Sequence, residues 1–419
     1  MDIISILILL AKIVVLTFVV TIPLVPVSVY FERRFAGVIQ DRVGPNRVGI
    51  PLTLFGAKKD LQLFGVGGLI QPMADGVKLF LKEDFTPSYV RKAFYWLAPA
   101  LTLAPALISV AAIPFGSPIT IAGRTIPLVI ADINVGPLLI FAIASLSVYG
   151  ITLAGWSSNS KYPFIGGVRS TAQMISYEIC LGLSIIPVLI YFGELNLTKI
   201  VQAQADNGWL LLPFWHDGKF SMPTHDQMLF WIPAFVSFII FTISVFAETN
   251  RMPFDLPECE TELVGGYHTE YSSMKFALFF MGEYAAMVVG SALVITLFLG
   301  GWSLGFGFDK AISDMPLGGL IHLLVFVAKL IVFILFFILV RWTVPRFRYD
   351  QLMKLGWVVF FEAALVNVFF AALIISAPYL TYTILGLGAL LLVIVTAAIV
   401  WVARISEPPG VRTLAANAK

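Results

Sequence analysis

Apolar residues run along this chain in long unbroken blocks, not in the alternation of a strand or the one-sided stripe of a soluble helix. Windows of about 20 residues with few charges recur, the length that carries a helix across roughly 30 Å of hydrocarbon. The blocks predict nine spans, at residues 4–29, 93–114, 136–157, 170–192, 228–247, 275–299, 319–341, 355–376 and 379–403. The expected fold is an all-α polytopic membrane protein, a bundle of about nine transmembrane helices. Residues 1–404 form one helix-bundle domain with cytoplasmic loops at 30–92 and 248–274, and 405–419 form a cytoplasmic tail. The first block contains Lys12, exceeds a signal-peptide core in length and runs into E-R-R without a small-residue cleavage site, so it reads as mature structure.

Composition sharpens this picture. The chain has 419 residues, 59% of them hydrophobic and 12% charged, and a mean hydropathy of +0.91, well above soluble domains. Of its 27 Lys and Arg, 21 fall in the odd-numbered connections, at the span ends that flank them (Lys275, Arg341) or in the tail, and four (Arg124, Lys199, Lys219, Lys310) in the even-numbered ones. The bias puts the N-terminus outside and the C-terminus in the cytoplasm. A net charge of +2 without arginine and aromatic interleaving makes no case for nucleic acid. The two cysteines, Cys180 in a span and Cys259 in a loop, are not expected to pair.

Redox and nucleotide signatures are missing from the sequence. The four histidines (His216, His225, His268, His322) are not placed to hold a haem, no C-x-x-C run could hold a cluster, and G-V-G-G at 65–68 lacks the rest of a dinucleotide fingerprint. No metal site and no cofactor bound by this chain alone are expected. Energy must then come from a partner or an ion gradient.

Charges are placed selectively. Within the predicted spans lie Lys12, Glu178, Glu283, Lys329 and Glu362, groups that cost several kcal/mol in a bilayer and usually mark function. Glu178 falls about eight residues into its span, roughly 12 Å below the edge, and Glu283 at a similar depth. They read either as members of a proton relay or as neutral, hydrogen-bonded packing residues. Between two apolar blocks, residues 248–274 gather Glu248, Asp255, Glu258, Glu260, Glu262 and Glu270 against one base, Arg251. A solvated face is the ordinary meaning of such a run. Here Pro253, Phe254, Leu256, Pro257 and Leu263 interleave the acids, and the alternation of Glu258, Glu260 and Glu262 suggests an irregular backbone lining a cavity. Residues 74–83, with Asp75, Lys78 and Lys82 along one side, predict an interfacial amphipathic helix.

Three segments carry a family resemblance: E-R-R with G-P-N-R-V-G (32–49), Q-P-M-A-D-G-V-K-L-F-L-K-E-D (71–84) and A-E-T-N-R-M-P-F-D-L-P-E-C-E-T-E-L-V-G-G-Y-H-T-E-Y (247–271). Supporting pieces are A-G-W-S-S-N-S-K-Y, Q-M-I-S-Y-E, F-F-M-G-E-Y and P-R-F-R-Y-D-Q-L-M. In order and over nearly the whole chain these resemble the H-subunit family of proton-pumping NADH-quinone oxidoreductase, respiratory complex I. The resemblance implies a membrane subunit that walls a quinone chamber and couples quinone reduction to proton translocation, not catalytic alone, in a bacterial inner membrane. Quinone is then the substrate, and an iron-sulfur subunit, other hydrophilic subunits at the quinone site, antiporter-like membrane subunits and membrane lipid are the partners. It further implies Glu32, Arg33, Arg42, Asp75 and Glu83 on the chamber side; Arg251, Asp255, Glu258, Glu260, Glu262, Glu270 and Tyr271 on a loop facing hydrophilic subunits; and Glu178, Glu248 and Glu283 as the proton relay. The homologous subunit of a membrane-bound hydrogenase or a ferredoxin-dependent ion-pumping complex is the alternative; a stand-alone transporter would need paired interrupted helices in repeated halves, which the sequence lacks. Residues 51–70 look like an insertion, Val358 stands where the family pattern has a base, and the ninth span exceeds its eight-helix core.

Overall fold

The computed structural model of the chain describes residues 3–46, 67–376 and most of 386–401, apart from residues 122, 214, 217–218, 221–224, 258–259, 306 and 316. Among them eight helices are long and apolar enough to cross a membrane: α1 (Ile4–Ile39), α3 (Lys92–Ala112), α4 (Gly136–Ser157), α5 (Lys161–Phe192), α7 (Gln227–Glu248), α8 (Ser273–Phe298), α10 (Gly318–Thr343) and α11 (Tyr349–Ser376). Shorter helices are α2 (Gln71–Leu81), α6 (Leu197–Asn207) and α9 (Phe308–Ser313). The predicted ninth span, 379–403, lies partly outside the described residues, and those described within it are helical. Residues 51–66 of the apparent insertion and the tail 405–419 also lie outside them.

Two helices overrun their predicted spans. α1 continues to Ile39, ten residues past position 29, and α5 begins at Lys161 instead of residue 170. Once a helix is nucleated, polar residues extend it at little cost beyond the apolar stretch that anchors it. Glu32 and Arg33 therefore project from a helix, and Glu178 sits near the middle of α5, not one or two turns from its start.

Apolar helices gain nothing by hiding from lipid that is equally apolar, so they associate through close backbone approach at small residues. A Cβ added to Gly150 of α4 would lie 2.4 Å from the Thr102 hydroxyl and 2.8 Å from the Thr102 nitrogen in α3. Gly155 of α4 and Gly167 of α5 likewise meet backbone to backbone. α8 is at the centre: 72% of its most apolar window is buried, more than in any other span. Turns of π-helix interrupt α1 at Val14–Thr21 and α11 at Leu355–Phe360.

The bundle has two polar ends. At one, a hairpin of β1 (Gly116–Ile121) and antiparallel β2 (Arg124–Leu128) packs on α10. Here Lys12 donates to the Val129 carbonyl at 2.8 Å. Lys329 donates to the carbonyls of Leu299, Gly301 and Ser303 at 2.7, 2.9 and 2.6 Å, capping the end of α8. These two intramembrane lysines hold carbonyls that a helix end or turn leaves without partners. Asp309 accepts from the Ser303 hydroxyl at 2.6 Å and the Leu304 N–H at 2.8 Å, with His322 Nε2 at 3.5 Å. The opposite end gathers α2, residues 82–91, the turn region 249–272 and residues 344–348. Arg124, Lys199 and Lys310 belong to the first end and most other bases to the second, the division that the alternation of spans predicts. Glu362 is exposed on α11, as is Val358.

Candidate functional site

α8 has a cavity on either side, and adjacent residues face them. The larger, of about 640 Å³, opens between α1, α2 and α8. Ile22, Val25, Val29, Phe276, Phe280 and Met281 give it apolar walls, and Glu32, Arg33, Asp75 and Tyr284 a charged end. Arg33 pairs with Asp75 at 2.5 Å. Glu32 accepts from the Tyr284 hydroxyl at 2.7 Å, lies 3.5 Å from Arg251 and forms an ion pair with Arg341. The Arg251 guanidinium also sits 3.8 Å above the Tyr284 ring. Burial opposes the Arg251 charge, but Tyr284, Glu32 and Glu283 outweigh it and hold the pKa above its ordinary value. This arginine stays charged.

The second cavity is small, about 60 Å³, and lies between α3, α4, α5, α7 and α8. Its walls carry Glu248, Glu283, Asn250, Thr102, Ser109 and Ser147. The void has room for a few waters beside these polar groups, the rest of its wall being apolar. Glu283 accepts from the Tyr267 hydroxyl at 2.7 Å, and its charge reaches Arg251 and Asp255. Glu178 is not among the lining residues but lies within Coulombic reach of Glu248. Glycine at 282, beside Glu283, keeps this wall thin: a Cβ there would meet Thr102 at 3.2 Å.

The acidic segment does not form one cluster. Arg251 is buried beside Glu32, at the charged end of the larger cavity, instead of facing outward with the loop. Asp255 pairs with Arg346 at 3.1 Å, and burial holds its carboxyl above the ordinary value despite that arginine. Glu262 is exposed and takes Arg169 at 2.7 Å. Glu270 accepts from the Tyr89 hydroxyl at 2.7 Å, while Tyr271 is buried and stacks on Tyr95 at 4.1 Å. Glu260 opens a helical turn, Glu260–Leu263, in a segment whose described residues are otherwise mostly turns and irregular backbone. Glu258 lies outside the described residues.

Two residues expected on the chamber side do not line the larger cavity. Arg42 is exposed just past the end of α1, and Glu83 is exposed beyond the end of α2. Neither end could be fixed from hydropathy, since both fall in polar sequence. Conversely, Tyr267, Tyr284, Arg341 and Arg346 hold the site together and were not singled out as site residues. Gln173 was not either: wholly buried, it donates to the carbonyls of Ala247 and Phe254, both at 2.8 Å, fixing the turn after α7. Two cues were legible: Tyr284 follows Glu283, and Arg341 and Arg346 bracket the end of an apolar block.

Comparison with known proteins bears on this geometry. A family model described as NADH dehydrogenase matches residues 11–372. H subunit 2 of the NADH-quinone oxidoreductase of Koribacter versatilis is 44% identical over 373 residues, 87% of this chain and 96% of that protein. H subunit 2 of the Geobacter sulfurreducens enzyme is 45% identical over 359 residues, 85% of this chain and 93% of its own length. Subunit 8 of NADH-quinone oxidoreductase from Rhodothermus marinus is 45% identical over 352 residues, 83% of this chain and 91% of its own length.

Proposed function

Because the chain belongs to the H-subunit family of NADH-quinone oxidoreductase, membrane subunits of complex I, we propose that its larger cavity receives the quinone and that α8 couples quinone reduction to proton movement. The observation that carries this reading is the adjacency of Tyr284, in the wall of the larger cavity, and Glu283, in the wall of the smaller one. A cavity of about 640 Å³ with apolar walls and a charged end suits a molecule with a polar ring and a long apolar tail, and falls in the usual range for small-molecule sites.

Electrons come from a partner's iron-sulfur centre. Reducing a quinone to a quinol consumes two electrons and two protons. The negative charge that builds on the ring oxygens is met by Arg33 and by the Tyr284 hydroxyl, whose proton is held between ring and Glu32. A change of charge there acts on Glu283 through Arg251, which touches Glu32 and Tyr284 and whose field includes Glu283. Glu283 then exchanges a proton through the waters of the small cavity with Glu248, and Glu248 with Glu178, toward the antiporter-like subunits. The turn region with Asp255 and Glu262 faces the hydrophilic subunits on the cytoplasmic side.

The test uses the assembled complex in proteoliposomes. Glu283→Gln keeps the Tyr267 hydrogen bond possible but cannot carry charge, and is expected to cut proton pumping at least about tenfold, the lower range for loss of a proton-transfer group. Pumping and quinone reduction both at the parental level would refute the relay.

A further inference from the structure

A third concavity faces outward, away from the two described. It is a groove of about 410 Å³ where α3, α4 and α5 meet, lined by Phe94, Thr152, Leu153, Trp156, Phe164 and Val168. Its walls are apolar except for Thr152, which is occupied with Thr171 at 2.7 Å. Phe94 packs edge-on against Trp156, ring centres 5.5 Å apart, so the aromatic sides hold each other in place.

One end of the groove is cationic. The Arg91 guanidinium lies 4.3 Å over the Trp156 ring. The Arg91 N–H donates to the Ser157 carbonyl at 3.0 Å and the Asn159 amide to the Tyr89 carbonyl at 3.4 Å, which brings the starts of α3 and α5 side by side. Those starts are Lys92 and Lys161, both exposed. Lys161 is three residues before Phe164, on the same side of the helix by spacing. No Asp or Glu occurs in 85–97 or 152–168, and the carboxylate that another element brings to this end, Glu270, is held by the Tyr89 hydroxyl at 2.7 Å. Three positive charges thus stand where an apolar crevice meets a polar helix end.

We propose that this groove is a binding site for an anionic glycerophospholipid: an acyl chain lies along Phe94, Leu153, Phe164 and Val168, and the phosphate is held by Arg91, Lys92 and Lys161. Charge complementarity decides the occupant. An apolar partner helix would fill the crevice and leave three cations facing hydrocarbon or each other, whereas a lipid supplies chain and anion in one molecule at the depth where headgroups lie. The Arg91 and Trp156 pair gives a rigid shoulder between the two parts, with the Trp at the interfacial level it favours.

The experiment takes the assembled complex in nanodiscs of phosphatidylcholine and titrates in photoreactive phosphatidylglycerol, reading the labelled peptides of this chain by mass spectrometry. Labelling is expected within 94–97 and 152–168, displaced by unlabelled phosphatidylglycerol and not by extra phosphatidylcholine. Removing one cation (Lys161→Gln) should raise the half-saturating fraction about fivefold and removing all three roughly a hundredfold, at about 1 kcal/mol per basic residue. Leu153→Trp should block labelling while leaving the charges in place. Equal displacement by phosphatidylcholine, labelling undiminished in the charge variants, or cross-linking of these residues to a partner subunit in place of lipid would overturn the proposal. The displacement arm needs only the wild-type complex, so a variant that fails to assemble does not shield it.

Discussion

Glu32 has three partners at once: a tyrosine hydroxyl and the guanidiniums of Arg251 and Arg341. Removing its carboxylate leaves two arginines facing each other in a largely buried site, and uncompensated buried charge costs about 3–5 kcal/mol. Glu32→Gln is therefore expected to lower the thermal stability of the purified complex far more than Arg341→Gln, which keeps the pair with Arg251. Equal unfolding midpoints for the two variants would contradict this account. At the opposite end of the bundle, burial alone would raise the Asp309 carboxyl, but the bonds from His322, Ser303 and the Leu304 N–H outweigh it and hold its pKa below the ordinary 3.8. A lowered carboxyl stabilises the fold fully above its unfolded value, and that contribution disappears as the pH falls through the folded one. The stability gap between wild type and Asp309→Asn should be constant near neutrality and close only below about pH 4. A gap unchanged at acid pH would mean that the carboxylate charge contributes nothing.

At the scale of elements, contact geometry sets the tolerances. Gly150→Ala would place a Cβ 2.8 Å from the Thr102 backbone nitrogen, so α3 and α4 must part, at about 1–3 kcal/mol by the usual cost of overpacking. Thr102→Ala removes the hydroxyl and the γ-methyl but leaves the backbone contact, and should rescue the variant in part, as read from unfolding of the complex. Full rescue would show that the side chain alone set the limit. Eight spans were legible in the sequence because crossing a bilayer demands contiguous apolar residues, and any departure is visible in one window. Helix ends were not, since residues 30–39 and 161–169 are mixed in character and follow the helix that carries them. Pairings such as Arg251 with Glu32 or Gln173 with Ala247 were illegible for another reason: each joins segments far apart in the chain, and no local pattern encodes them. The acidic run was the misleading case. Its density suggested one shared purpose, yet Asp255 and Glu262 each pair with an arginine of a different element and Glu270 accepts from the Tyr89 hydroxyl.

For the whole molecule, the basic residues divide between two ends, and the larger share defines the cytoplasmic face in our reading. Cysteines introduced at Glu194 and Asp314 should react with a membrane-impermeant maleimide in intact cells, and one at Asp350 only in inverted vesicles, once Cys259 is replaced by serine. The reverse pattern would invert the topology and with it the side on which the turn region 249–272 lies. Between the two cavities stands α8 alone, a partition one helix thick, about 10 Å across. An oily molecule on one side and water on the other never share a passage. Yet two unit charges at that separation still interact by about 1.7 kcal/mol at an effective dielectric constant of 20, roughly tenfold in an equilibrium. The partition acts as the dielectric of a capacitor: it insulates against matter and transmits voltage. Thickening it by a side chain at Gly282 would weaken that transmission without closing either compartment.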